Sequence, residues 1–399
     1  MKMNNWNKVA LSEICDLIAG FAFKSKDFGD YDSKVIKITH ITPPSVDMDN
    51  LGGVDISKYN AAKLEKFIAK AGDYVLAMTG ATIGKIGRIE HGSAYINQRV
   101  LLFRPRQNVD KEFLYYALQQ YEFGQYITSH ADSESAQPNI SAGTIGKYQI
   151  ILPPMEIQKR IGTLLRAYDE KRENNRKIND NLEQQAQSYF QELFVDNADP
   201  EWAIGTISDL GTVVGGSTPS KAKPEYYTES GIAWITPKDL SINKSKFVSH
   251  GENDITELGL KNSSAAIMPE GTVLFSSRAP IGYIAIAAGE VTTNQGFKSV
   301  VPKPEIGTPF VYFFLKNTLP VIEGMASGST FKEVSGSTMK NVPAVIPDAE
   351  TLAKFSDFCA PIFAQQRILE EQNQSLATLR DNLLPKLMSG EIDVSAVQF

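Results

Sequence analysis

The chain has 399 residues, 42% of them hydrophobic and 22% charged. That composition fits a globular protein of two or three domains and excludes long disordered tracts. Lys and Arg number 40 against 46 Asp and Glu, and this net charge of −6 argues against an ordinary basic nucleic-acid binder.

The elements fall into four stretches: residues 1–153, 154–196, 197–347 and 348–399. The first and third are mixed α/β (α+β). Short β-rich runs such as Val35–Thr39, Ala94–Ile96, Ala233–Ile235 and Tyr283–Ala287 are broken by Gly, Pro and Asn. The second and fourth have helical character. These stretches read as one unit written twice. Trp6 to Leu17 is similar to Trp202 to Val213 at an offset of 196. Asn97-Gln98 matches Asn294-Gln295, and Phe113 to Leu118 matches Phe310 to Leu315, both at 197. Ile140-Ser141 matches Val334-Ser335, and Leu152-Pro153 matches Ile346-Pro347, both at 194. Such order over so long a span indicates an internal repeat.

In the first helical stretch, Ile161, Leu165, Tyr168, Ile178, Leu182, Tyr189 and Leu193 roughly follow heptad spacing, interrupted around Arg172 and Asn175. In the second, Phe355, Phe358, Ile362, Gln365, Leu369, Gln372, Leu376, Leu379 and Leu383 recur three and four apart, as a coiled-coil seam does. Pro361 predicts a helix start or kink, and Pro385 an end or bend. A one-sided apolar stripe needs a partner. A pseudo-twofold relation would make the two helices antiparallel partners, with the domains at opposite ends of a pair up to about 60 Å long. The alternative is that each helix packs on its own domain.

No catalytic constellation emerges. The Gly80–Ile86 segment differs from a phosphate-binding loop in glycine spacing and lacks Ser or Thr after Lys85. His40, His91, His130 and His250 show no metal-binding spacing, and Cys15 with Cys359 give neither a disulfide framework nor a zinc site, so no metal is expected. Gly324–Gly328 carries the wrong spacing for a nucleophile elbow. Without an apolar run of about 18 residues or a signal peptide, a cytoplasmic location is expected, with no membrane. What remains is polar loops that recur at corresponding places. In the first copy the candidates are Lys24, Ser25, Lys26, Thr39, His40, Thr82, Lys85, Gln98 and Arg99. In the second they are Thr218, Ser220, Lys221, Lys238, Ser276, Arg278 and Gln295, and Lys332 in the loop 328–332. Such side chains bond phosphates and base edges.

The paired starts Trp6…Leu11-Ser-Glu-Ile and Trp202…Ile207-Ser-Asp-Leu, with Thr79–Gly84 and Arg278–Gly282, resemble those of the specificity subunits of Type I restriction-modification systems. Gln137-Pro-Asn-Ile-Ser141 leading through Ile151-Leu-Pro-Pro154 into the first helix, and Leu383–Ile392 near the end, continue the likeness. The family often reads Pro-x-x-Glu-Gln before the helix; here Glu156 and Gln158 are split, and the second copy reads Pro347-Asp-Ala-Glu350.

The resemblance implies two tandem target-recognition domains (1–153 and 197–347) separated by two long antiparallel coiled-coil helices. Each domain would read half of a split, asymmetric site on double-stranded DNA. The helices would set the gap and dock two methylation subunits that hold S-adenosylmethionine. Restriction subunits, which use ATP and Mg²⁺, can join. This chain itself would carry no cofactor and no catalysis. Two rival readings stay open, a protein-binding repeat scaffold and an enzyme with an unrecognised site. The charge division narrows the objection to the DNA-reading role. Residues 1–153 are +1 and 200–347 are −1, whereas 154–199 are −2 and 348–399 are −4. The deficit lies in the helical stretches, and nearly neutral domains predict weak phosphate attraction by the chain alone.

Overall fold

In the computed structural model, residues 6–132, 137–328 and 332–395 are described. The duplication reappears as matched backbone hydrogen bonds. Gly20 N–H donates to Val100 O, and Gly216 N–H to Phe297 O. Asn97 N–H donates to Ile36 O, and Asn294 N–H to Ile235 O. Ile140 N–H donates to Met78 O, and Val334 N–H to Ser277 O.

Each copy opens with a strand that pairs antiparallel with the copy's last strand: Asn7–Ala10 with Gln149–Leu152, and Ala203–Thr206 with Pro343–Ile346. A mixed sheet follows. In the first copy its order is Cys15–Ala19, Val100–Pro105, Tyr74–Ala77, Ile86–Arg88, Ser45–Val46, Ile41–Thr42. In the second it is Gly211–Gly215, Lys298–Pro302, Val273–Ser277, Ile281–Ala287, Phe247–Val248. The central strands are buried on both faces, so their middles are continuous apolar runs rather than alternating ones, as in Tyr74–Ala77, Val100–Phe103 and Val273–Phe275. Tyr74 and Leu76 enter one core cluster, while Val75 and Ala77 enter another on the opposite face. Val273 and Phe275 are likewise separated from Leu274, as a period of two requires.

The long helices run from Met155 to Gln191 and from Ala349 to Ser389. A single π-helical turn, Glu192–Asp196, extends the first. The chain forms two compact units whose boundaries fall within the helices: Met1–Lys171 with Leu376–Phe399, and Arg172–Ser375. Each unit holds one domain and a share of both helices. The two shares run antiparallel within each unit. In the first, Asp169 meets Arg380, and Arg160 meets the carbonyls of Val394 and Ser395. In the second, Asn175 meets Gln372 and Asn373, and Asn179 meets Gln366.

The heptad stripe is corrected on one flank. Phe355, Ile362 and Leu369 are buried, and Leu376 and Leu383 half-buried, as expected. Phe358, Gln365, Gln372 and Leu379 are exposed instead. Their places facing inward are taken by Cys359, Gln366, Asn373 and Arg380. On the first helix Leu165 is buried, and Tyr168, Leu182, Tyr189 and Leu193 are half-buried, but Ile178 is exposed and Asn175 is fully buried. Apolar contacts gather at the helix ends, where they belong to the domain cores. Ile161 and Leu165 join Leu384, Leu387 and Met388 in the first core. Ala186 and Phe190 join Phe355, Cys359 and Phe363 in the second. Both expected packings therefore occur, helix on domain at the ends and helix on helix between. Pro361 neither starts nor ends the helix, and Pro385 lies within it. Buried Cys359, Ile362 and Phe363 flank Pro361, and their packing outweighs the cost of a proline inside a helix, about 3 kcal/mol.

A buried ionic cluster closes the second unit. Lys246 Nζ donates to Glu183 Oε2 at 2.8 Å, and Lys316 Nζ to Glu183 Oε1 at 2.5 Å. Burial pushes the Glu183 carboxyl up, but the two ammonium groups outweigh it and hold the pKa down to about 2. A depressed carboxylate stabilises the fold above its ordinary pKa and loses that contribution as pH falls through the folded value. On lowering the pH from about 4.5 to 2, the wild type should lose about 3 kcal/mol more than Glu183→Gln. Urea unfolding at each pH measures the difference; parallel curves would contradict it.

Candidate nucleic-acid interface

In the second domain, the turns after the strands Gly211–Gly215, Trp234–Ile235, Val273–Ser277 and Thr292–Thr293 meet at one cleft of about 660 Å³. Of the candidates it gathers Thr218, Lys221, Lys238, Arg278 and Gln295, over the rings of Tyr227 and Trp234. Local chemistry builds its walls. Thr236 caps the short helix Pro237–Ile242: its N–H and hydroxyl both donate to Asp239 Oδ2, at 2.7 and 2.6 Å. That cap directs Lys238 to the rim, where Nζ donates to Glu252 at 2.5 Å. The carboxylate pushes the Lys238 ammonium above the ordinary lysine range. Arg278 Nη1 donates to Glu333 Oε2 at 3.4 Å. Thr218 Oγ1 donates to the Gln295 side-chain oxygen. Trp234 Nε1 donates to Ser217 O at 3.0 Å, which fixes the floor. Lysine and arginine heads beside amides and hydroxyls offer both phosphate contacts and base-edge readout.

The first domain brings together corresponding turns. Gly80 N–H and Thr79 Oγ1 both donate to Pro138 O, and Arg99 Nη1 donates to Asn139 Oδ1 at 2.9 Å. A side chain on Gly80 would meet Ile38 and Gln137, so the turn 38–40 lies beside the turn 79–82. Gly80 and its counterpart Ala279 both have positive φ, 72° and 51°. Ala279 pays a penalty there that glycine avoids. Thr39, Gln98 and Arg99 are exposed around this place, and Thr82 is half-buried.

Other candidates lie elsewhere. Lys24, Ser25 and Lys26 are exposed on a turn pinned through Asp27, which accepts from Tyr59 Oη at 2.5 Å and Lys58 Nζ at 3.0 Å. Lys85 lines a different groove, of about 1060 Å³, with Tyr121 and Tyr126. Ser220 and Lys332 are exposed; Ser329, Thr330 and Phe331 lie outside the described residues. Two candidates are corrected. Ser276 is fully buried, its hydroxyl donating to Pro280 O and accepting from Tyr283 N–H, so it shapes the turn instead of facing a ligand. His40 is half-buried, and its Nδ1 accepts from Lys37 N–H at 3.0 Å, so that ring nitrogen is taken by its own turn; burial pulls its pKa below the usual histidine value.

The loop Thr236-Pro-Lys238-Asp239 is among the polar loops of the second copy that sequence reasoning singles out, but Trp234 and Glu252 were missed, because nothing in the sequence marks them as its neighbours. Both cysteines are free and buried, and burial pushes each thiol up to about 12, so neither is a nucleophile. Among the described residues, no three His, Cys, Asp or Glu gather as a metal requires, and no helix is long and apolar enough to cross a membrane.

The whole arrangement matches the Type I restriction modification DNA specificity domain twice, over residues 3–184 and 200–379. The chain belongs to that family. It is 39% identical over 191 residues to the Type I restriction enzyme MjaIX specificity subunit of Methanocaldococcus jannaschii, covering 46% of this chain and 44% of that one. The chain thus spans less than half the length of that relative. The HindI specificity subunit of Haemophilus influenzae is 23% identical over 374 residues, covering 74% of this chain and 81% of its own. Among solved structures, the S subunit of a Type I restriction-modification system from M. genitalium has the same fold: TM-score 0.61, 18% identity, 97% of this chain and 98% of that one covered. The family's tandem recognition domains and long helices are the two copies described above.

Proposed function

We propose that this chain is the DNA-reading, non-catalytic subunit of a Type I restriction-modification enzyme, with each recognition domain reading one half of a split site on double-stranded DNA. The observation that carries this is one site built twice, sharing a glutamine (Gln98 and Gln295) but otherwise presenting different side chains. Thr236, Lys238, Arg278 and Gln295 surround it in the second domain; Thr39, Thr82, Gln98 and Arg99 stand at the corresponding turns of the first. Different side chains read different bases, so the target is asymmetric. The helical stretches carry the chain's negative charge and suit docking of two methylation subunits, which would supply S-adenosylmethionine. Restriction subunits would add ATP and Mg²⁺. This chain would hold none of these cofactors.

Neutral domains give little counterion release, so binding should tighten when methylation subunits enclose the duplex. Gel shifts with random-sequence duplex, with and without methylation subunits, test this. Binding that appears or strengthens with the subunits supports the reading; assembly of a complex that never retains DNA would favour a protein-only scaffold.

A further inference from the structure

We infer that each recognition domain is keyed to its own stretch of both long helices by an ionic junction, and that Lys246 with Glu183, and Asp169 with Arg380, are positioning residues for the gap between half-sites. The inference rests on the DNA-reading role proposed above.

In the second unit, Lys246 belongs to the domain, Glu183 to the first helix and Gln366 to the second. The Lys246 ammonium donates to Glu183 at 2.8 Å and to Gln366 Oε1 at 2.9 Å, and sits 3.5 Å from the centroid of the Phe363 ring. The backbone N–H groups of Lys246 and Phe247 donate to Glu370 of the second helix at 2.8 and 3.0 Å. One loop of the domain thus grips both helices. In the first unit, Asp169 of the first helix accepts from Tyr116 Oη of the domain and from Arg380 of the second helix, both at 2.7 Å. The junction recurs with unrelated residues. Its two domain tyrosines occupy neighbouring places of the repeat, since Tyr115-Tyr116 corresponds to Tyr312-Phe313 and Tyr312 Oη donates to Glu183 at 3.1 Å.

Stability alone does not account for these pairs. Buried ion pairs lose much of their attraction to desolvation, and apolar replacements are often as stable. What they add is direction, since apolar packing is non-directional and tolerates sliding. The stripe between the helices needs such direction, because Asn175, Asn179 and Gln366 occupy it where apolar groups would otherwise fix the fit. A domain free to shift on its helices would accept neighbouring gap lengths while reading the same bases.

The test uses the full chain assembled with methylation subunits, S-adenosylmethionine and random-sequence duplexes, followed by sequencing of the methylated molecules. Wild type should select a single gap length. Lys246→Met and Asp169→Asn should keep both half-site sequences but raise methylation at gaps one base pair longer or shorter by about tenfold relative to the preferred gap. Lys246→Arg should restore the single gap. Should Lys246→Met fail to fold, Gln366→Met removes the same contact from the second helix. Folded variants that retain one gap length would overturn the inference. A wild-type complex that methylates no duplex would instead overturn the DNA-reading role.

Discussion

Gly216→Val is expected to unfold the second recognition unit. A β-carbon at Gly216 would lie 2.0 Å from Asn294 O and 2.4 Å from Thr293 O. Both are backbone atoms in a stretch held by Asn294 N–H donating to Ile235 O and Thr292 N–H to Ala233 O, so neither can swing away as a side chain would. Forced overpacking against fixed backbone costs about 3 kcal/mol or more. The repeat makes the same demand at Gly20, where a β-carbon would lie 2.2 Å from Asn97 O. Gly215→Ala is the control, because its nearest neighbour is Lys298 Cδ at 3.9 Å. Thermal unfolding of the full chain should show a large drop for Gly216→Val and little change for Gly215→Ala. Equal melting temperatures would show that the close approach is not obligatory. The effect also bears on the site, since Gly216 leads directly into Ser217 and Thr218 at the cleft.

Arg278→Ala and Lys238→Ala should each impair methylation of the target without unfolding the chain. Their partners, Glu333 and Glu252, are surface-accessible, and pairs of that kind contribute about 0–1 kcal/mol. Both cations can therefore exchange a carboxylate for DNA at little cost. If one contacts a base edge, its loss should cost about 1–3 kcal/mol and relax selection at one position; if it contacts a phosphate, binding should weaken evenly and the salt slope should fall by about one. Competitive methylation of randomised duplexes separates the two patterns. Unchanged rates and selection in both variants would remove them from the interface.

The duplication was legible because each copy repeats the same turn and strand landmarks in the same order. The length of the first helix was legible because no proline interrupts its spacing; that of the second was not, because Pro361 and Pro385 read as a start and an end yet lie inside it. Nor was the inward flank of each stripe. Phe358 and Leu379 look like seam residues because heptad spacing counts apolar side chains and does not see what they face. The chain instead places Gln366, Asn373 and Arg380 inward, where polar partners across the helix pair and the domain satisfy them. Ser276 was misplaced for a related reason: a serine in a turn reads as a donor to a ligand, yet its own turn consumes it. The cleft in the second domain was legible in its parts, Lys238, Arg278 and Gln295, but their convergence depends on sheet order, which joins residues far apart in sequence. Glu183 and Lys246 carried no signal at all, since a buried ion pair spelled by distant residues resembles two surface charges.

The proposed role is that this chain directs where DNA is methylated, through two unlike half-sites. Sequencing methylated positions across the host genome, with and without the gene, tests it most directly. A split, asymmetric motif with a fixed gap should be present and should vanish when the gene is deleted. A palindromic or uninterrupted motif, or a methylation pattern unchanged by the deletion, would contradict it.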